Sequence, residues 1–330
     1  MKPHIAYVLA LAAVFLAGSS WPGDSWAQTR IPRVGIIAVG AAADDTFAGY
    51  RFDMIRRALA GQGWTQGRTV SFELRDARGD ASRFGAIAAE LVRLKVDLIW
   101  ADSAPALRAA YAATRTIPIV AFDFTTDPVA DGYAQSYGRP GGNVTGVFLD
   151  APELSGKWLE LLKATVPDLS TVAVLWDPSA GDAHARGLQA VAASFGVQLE
   201  IIEVRKPEQI DAVASAFQGR PQALIILPSP MTFAENARLA RLAMKQRLPA
   251  TSIFRQFTEE GGLITYGPEQ VSILERGAGQ VTRILRGAKP ADVPIERPTK
   301  FELVVNLKAA KALNLTIPES VLARADRVIR

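Results

Sequence analysis

The chain predicts an α/β protein of two doubly wound, parallel-sheet lobes joined by a multi-strand hinge, and three observations carry that expectation. Short apolar runs of buried-strand type alternate with segments of helical period along most of the chain, the pattern of parallel strands linked by crossover helices. The alternation breaks over Thr125 to Phe148, TTDPVADGYAQSYGRPGGNVTGVF, where Pro128, Pro140 and Gly141-Gly142 interrupt regular structure. It then restarts on the same plan. VDLIWADS (Val96 to Ser103) is answered by QALIILPS (Gln222 to Ser229), each a buried run that closes on a Ser. Copies of well over roughly 100 residues are domains rather than solenoid units.

The first half reads in order as strand Arg33 to Val39, a helix with Phe47, Met54 and Ala58 at helical spacing, and an alternating strand Thr69 to Leu74. A helix with Phe84, Ile87, Leu91 and Leu94 on one face follows, then buried runs Val96 to Trp100 and Ile117 to Phe122 flanking a short helix. The second half gives helix Glu153 to Ala164, strand Thr171 to Trp176, a helix carrying Leu188, Val191, Ala192 and Phe195, and strand Gln198 to Val204. Helix Glu208 to Phe217, strand Ala223 to Leu227, helix Phe233 to Lys245 and run Pro249 to Phe254 complete it. The tail adds strand Gly261 to Tyr266, helix Gln270 to Arg286 and strand Phe301 to Val305. Pro290, Pro294 and Pro298 make the connection between that helix and that strand stiff enough for another inter-lobe crossing. The expected organisation is a first lobe over 28–146 with part of 268–298, and a second over 147–267 with part of 299–330.

Composition narrows the function classes. At 330 residues with 49% apolar and 21% charged residues, the chain can fill two cores. A formal charge of +4 is spread without a basic run or interleaved aromatics, which argues against a nucleic-acid partner. Lys2, the apolar run Ile5 to Leu16 and the small-x-small order Ser25-Trp26-Ala27 have the layout of a secretory signal peptide over 1–27, cleaved after Ala27. The apolar run is shorter than the roughly 20 residues that span a bilayer. The chain has no Cys, so neither disulfides nor a lipid-modified amino-terminal Cys are expected.

Catalytic constellations are missing. Only His4 and His184 exist, no G-x-S-x-G elbow or phosphate-binding glycine loop is present, and zinc would need more His or Cys. The expectation is a binding protein rather than an enzyme, without cofactor or metal. Ligands of parallel sheets bind beyond the carboxyl ends of the strands. Reading past each strand gives Gly40 to Thr46, Asp102 and Ser103, Phe124 to Asp127, Asp177 to Asp182, Ser229 to Thr232, and Phe254 to Gln256 as pocket candidates. Short polar groups with Phe124, Trp176 and Phe254 suit a small, partly apolar solute. Ser179 and Asp182 read equally well as helix caps, and the aromatics as core.

The motifs IPIVAFDFTTDPV, RPGGNVTG, RGAKPADVP and FELVVNLKAAKALNLTIPESVL, set in paired lobes, resemble the substrate-binding proteins of ABC transporters, in the family that includes tryptophan- and tyrosine-type binding proteins. The resemblance covers essentially the whole chain after residue 27. It implies a type I periplasmic-binding fold, a periplasmic monomer, and an ABC permease with its ATPase as partner. By position, Ser103 matches the family's Thr or Ser after the third strand, and Thr126-Asp127-Pro128 matches its T-D-P. Ser179 and Asp182 match a P-S-E-x-N segment with Ala180 in place of the Glu.

Departures bear on the ligand. Ser229-Pro230-Met231-Thr232 stands where amino-acid-binding members show T-D-N-T, and Ile253-Phe254-Arg255-Gln256 stands where they show S-D-E-type residues. Arg255 is expected to anchor a ligand carboxylate through its planar fork, with pairing to Glu259 as the competing reading, and Asp45 to face an ammonium group. Ser103, Phe124, Thr126, Asp127, Trp176, Ser179, Asp182, Ser229, Met231 and Phe254 complete the expected ligand set. A carboxylate, aromatic acid or amino acid is the favoured solute, captured by hinge closure. A ligand-sensing receptor shares the fold, and a secreted enzyme on it lacks any nucleophile motif.

Overall fold

In the first sheet, all-parallel with strand order β2-β1-β3-β4-β5, each of the first three strands is followed by a helix, β4 by an irregular stretch and β5 by a crossing to the other lobe. Its elements are β1 (Arg33–Ala38), α1 (Asp45–Gly61), β2 (Ser71–Asp76), α2 (Phe84–Arg93), β3 (Leu98–Ala101), α3 (Ala104–Ala113), β4 (Ile119–Asp123) and β5 (Val144–Phe148). The structure, a computed structural model, describes residues 30–38, 45–78, 80–149, 151–217 and 220–330, with backbone alone at 45–50 and 151–153. The expected signal peptide over 1–27 lies outside the described residues, and both sheets belong to one compact unit, Pro32–Arg330.

The second sheet has order β12-β11-β10-β9-β8-β6-β7. It is built from α4 (Ala151–Thr165), β6 (Thr171–Trp176), α5 (Ala183–Ala192), β7 (Gln198–Glu203), a 3₁₀ stretch Pro207–Ala216, β8 (Ala223–Ile226), α6 (Pro230–Ala234), α7 (Asn236–Lys245), β9 (Ala250–Ser252), α8 (Gln256–Glu259) and β10 (Ile264–Pro268). The chain then returns to the first lobe as α9 (Gln270–Leu285) and ends in the second as β11 (Phe301–Asn306), α10 (Leu307–Ala312), α11 (Glu319–Leu322) and β12 (Arg327–Ile329).

Apolar patterning explains where the helices lie. Phe84, Ile87, Ala88 and Leu91 of α2 join Ala106, Leu107 and Ala110 of α3 against one face of the first sheet. The other face is covered by Ile55 and Leu59 of α1 together with Ile273, Leu274, Ala278, Val281 and Ile284 of α9. A helix that follows nearly all of the second lobe in sequence therefore completes the first lobe's core. In the second lobe α4 and α5 cover one face through Trp158, Leu159, Leu162 and Leu188, while Ile210, Val213, Leu239 and Ala240 cover the other.

The described chain passes between the sheets three times: after β5, between β10 and α9, and ahead of β11. The first and third crossings lie side by side. Glu296 N–H donates to the Gly146 carbonyl at 2.9 Å and Phe148 N–H to the Glu296 carbonyl at 3.0 Å.

Several expected elements differ from those observed. Val144–Phe148, expected to belong to the irregular crossover, is a fully buried strand paired in parallel with β4. Its glycine looks like a breaker but is what lets the strands approach: Gly146 has φ 146°, and a Cβ there would overlap the Ala121 backbone. The expectation of parallel pairing fails at β10 and β11, which run antiparallel, because that connection crosses to the other lobe and comes back. The segment expected as helix from Glu208 is 3₁₀. The helix expected from Phe233 starts earlier and splits, since the Ser229 side chain caps Pro230–Ala234 and a new helix begins at Asn236.

Candidate functional site

A cavity with an empty volume of about 590 Å³ opens between the lobes beyond the carboxyl ends of β3, β4, β8 and β9. The repeated buried-run-then-Ser pattern builds two of its walls. Ser103 caps α3, its Oγ accepting from Ala106 N–H at 3.3 Å, and Ser229 caps α6, its Oγ accepting from Thr232 N–H at 3.0 Å. In each case the strand ends, an extended Ser satisfies an orphan donor of the next helix, and a Pro follows in the first turn. Both serines line the cavity from opposite lobes. The remaining surface is mostly aromatic and apolar, with Phe122 and Phe124 from the first lobe and Phe233 and Phe254 from the second. The rings of Phe233 and Phe254 pack at 4.6 Å between centroids.

Two buried ionic features face this apolar surface. Arg51 on α1 donates from Nε and Nη2 to the two Asp102 oxygens at 2.8 and 2.7 Å, with side chains only 7% and 3% exposed. The fork-to-carboxylate geometry satisfies both charges at once. Asp123, at the end of β4, is 0% exposed. Its Oδ1 accepts from Thr125 N–H at 2.8 Å and Thr126 N–H at 3.1 Å, with the Thr125 hydroxyl 3.1 Å away and shared with a second acceptor. Its Oδ2 has no hydrogen-bond partner among the described residues. Burial pushes the Asp123 carboxyl above the usual carboxylate range, against the opposing pull of the hydrogen bonds from Thr126 and Thr125.

The lobes touch directly at the rim and at the base. Thr125 Oγ1 donates to the Ala180 carbonyl at 2.6 Å, His184 Nε2 bonds the Phe124 carbonyl at 2.6 Å, and the Arg108 guanidinium donates to the Ser179 carbonyl. Gln256 and Gln270 exchange amide hydrogen bonds at 3.3 and 3.1 Å across the crossing between β10 and α9. His184, the single His beyond His4, is thus a packed residue beside Trp158 that joins the lobes.

Among the described residues, four of the expected ligand contacts line the cavity: Ser103, Phe124, Ser229 and Phe254. Apart from Asp45, whose side chain lies outside the described residues, the others have structural work elsewhere. Thr126 is buried and holds Asp123, while Asp127 is exposed and accepts from Val129 and Ala130 N–H to close a turn. Trp176 donates to the Gly181 carbonyl at 2.7 Å and packs in the second lobe's core. Ser179 is held by Asp177, Asp182 pairs with Arg186 at the surface, and Met231 is buried beneath the second sheet. Asp45 is the first residue of α1. Arg255 sits in a separate polar recess with Glu269, Gln270 and Glu302, its Nε 3.4 Å from Glu259 and its Nη1 3.9 Å from Glu302. That geometry is the pairing with Glu259 that competes with the anchor reading. Burial pushes the Glu302 carboxyl up, and Arg255 draws it back down.

Residues that pattern reading misses are Arg51, Asp123, Phe233 and Gln270. Arg51 carries no signal in a segment read for its apolar spacing, and Asp123 looks like the last residue of a buried run.

Two lobes with a shared cavity and repeated crossings define a class, the two-lobe solute-binding proteins. Residues 39–329 match the model of the family described as ABC transporter substrate binding protein, and the chain belongs to that family. It is 25% identical over 262 residues to a tyrosine-binding protein of Clostridioides difficile (strain R20291), a match covering 78% of this chain and 75% of the relative. A conserved domain protein from Vibrio cholerae superposes with a TM-score of 0.80 at 25% identity, covering 91% of this chain and 100% of that one. The ABC domain solved with L-Trp from Streptococcus pneumonia gives 0.80 at 24% identity, with 90% and 99% covered. No helix among the described residues is long and apolar enough to cross a membrane.

Proposed function

We propose that this chain is the exported solute-capturing component of an ABC importer, and that it closes its two lobes around a small molecule with an aromatic or apolar body. The observation that carries the reading is the cavity whose walls come from both lobes and are dominated by Phe122, Phe124, Phe233 and Phe254. A concave, mostly apolar site with a few convergent polar groups is how small molecules are held. Ser103 and Ser229 are proposed as polar contacts, one from each lobe. Relatives that bind tyrosine and tryptophan put aromatic amino acids first in the search.

Hinge closure is supported by the number of crossings and by the hydrogen bonds that join the lobes at Thr125, His184 and Arg108. Among the described residues the site has no apparatus for covalent chemistry: the cavity serines cap helices, and the nearby His184 is occupied by the Phe124 carbonyl. A thermal-shift screen of aromatic amino acids, aromatic acids, aliphatic acids and sugars tests the reading, because a ligand for the folded state raises the melting temperature by mass action. An aromatic solute is expected to give the largest shift. A sugar or aliphatic acid as best ligand, with the aromatics silent, would contradict it.

A further inference from the structure

Resting on the reading of the inter-lobe cavity as a solute site, we propose that Asp123 is its specificity-determining residue and selects solutes that carry an amino group beside an aromatic body. The ionisable groups on the described cavity wall are Arg51, Asp102 and Asp123. Arg51 and Asp102 cancel each other through two short hydrogen bonds, and both are nearly sealed from water. What remains on the described wall is one acid, Asp123.

Asp123 is held rigidly by one oxygen only. The backbone N–H groups of Thr125 and Thr126 converge on Oδ1, which fixes the carboxyl plane, while Oδ2 has no hydrogen-bond partner among the described residues. A fully buried carboxylate oxygen without a donor is costly, and native structures rarely keep one without a use. A solute that brings an N–H, above all an ammonium, satisfies that oxygen and neutralises the acid in one contact. The aromatic rings around it supply the surface for the rest of the solute.

The same inventory ranks analogues. An amine needs Asp123, which is present. A carboxylate needs a cation: on the described wall Arg51 already has its carboxylate in Asp102, and Arg108, off that wall, is engaged by the Ser179 carbonyl. Removing the solute's amino group therefore costs more than removing its carboxyl group.

Isothermal titration of the whole chain with L-tryptophan, tryptamine and indole-3-propionate tests this, together with Asp123→Asn, which keeps the acceptor for Thr125 and Thr126 but replaces Oδ2 by a donor. L-Tryptophan and tryptamine should bind, with indole-3-propionate at least about tenfold weaker, the lower end of what one charged hydrogen bond contributes. Asp123→Asn should weaken the first two by about tenfold to a hundredfold and leave the third unchanged or improved. Indole-3-propionate binding as tightly as tryptamine overturns the role of Asp123 while leaving aromatic solute capture standing. So does Asp123→Asn binding L-tryptophan like the parent. Silence from all three compounds overturns both readings. The wild-type series decides the matter even if the variant does not fold.

Discussion

At the scale of single residues, Asp123 holds an acid where the fold alone would not choose one. Its carboxyl is raised above its ordinary value by burial, so its ionised form is disfavoured in the folded chain. For a raised carboxyl the favourable contribution is complete below the unfolded value of about 3.9 and is lost as pH rises through the folded value. At neutral pH the ligand-free protein therefore carries a deficit, and Asp123→Asn should stabilise it by about 1–3 kcal/mol, the cost range of an unsatisfied buried polar group. The gain should shrink as pH falls toward about 4, where the carboxyl is protonated. Melting temperatures of parent and variant at neutral and at mildly acidic pH check this, and a variant that melts lower than the parent at neutral pH contradicts it. The same residue shows what pattern reading reaches. Ser103 and Ser229 are legible because a small polar residue after a buried run marks a strand's carboxyl end. Asp123 is not, since a single acid closing an apolar run carries no period. The setting of Arg255 is legible in part: Glu259 lies four residues on and is named by spacing alone, whereas Glu302 belongs to a strand far along the chain.

At the scale of elements, α9 is the piece that ties the sequence's end to its beginning. Gly277 faces the Phe122 ring so closely that a Cβ would overlap it, whereas Gly279 on the same helix has nothing within 4 Å. Gly277→Ala should cost about 1–3 kcal/mol, the usual range for overpacking. Gly279→Ala should be neutral or stabilising by up to about 1 kcal/mol through helix propensity. Urea midpoints of the two variants separate packing from propensity, and equal midpoints contradict the close approach of α9 to β4. Most strands and helices are readable from period because each buries one face or both. The assignment of α9 to the first lobe is beyond that reading: Ile273, Leu274, Ala278 and Val281 announce an apolar face without saying which sheet it covers. Val144–Phe148 is concealed for the opposite reason, its glycine being a requirement of strand approach rather than a break.

At the scale of the molecule, the proposed function requires two lobes that close on a solute held between them. The contacts of Thr125 with Ala180, His184 with Phe124 and Arg108 with Ser179 join the lobes in this structure, and under the proposed closure the crossings beside Phe148, Glu269 and Glu296 absorb the rotation. A solute held by both lobes' walls shifts the population only by its better fit to the closed state. The absence of Cys makes the direct measurement simple, because introduced cysteines will be the only thiols. With spin labels at Arg57→Cys on α1 and Arg241→Cys on α7, both exposed positions, pulsed electron resonance reads the inter-lobe distance distribution without and with L-tryptophan, whose binding calorimetry establishes separately. The account predicts a broad distribution that becomes narrower and shorter when the solute is bound. A distribution unchanged by bound solute would contradict capture by closure.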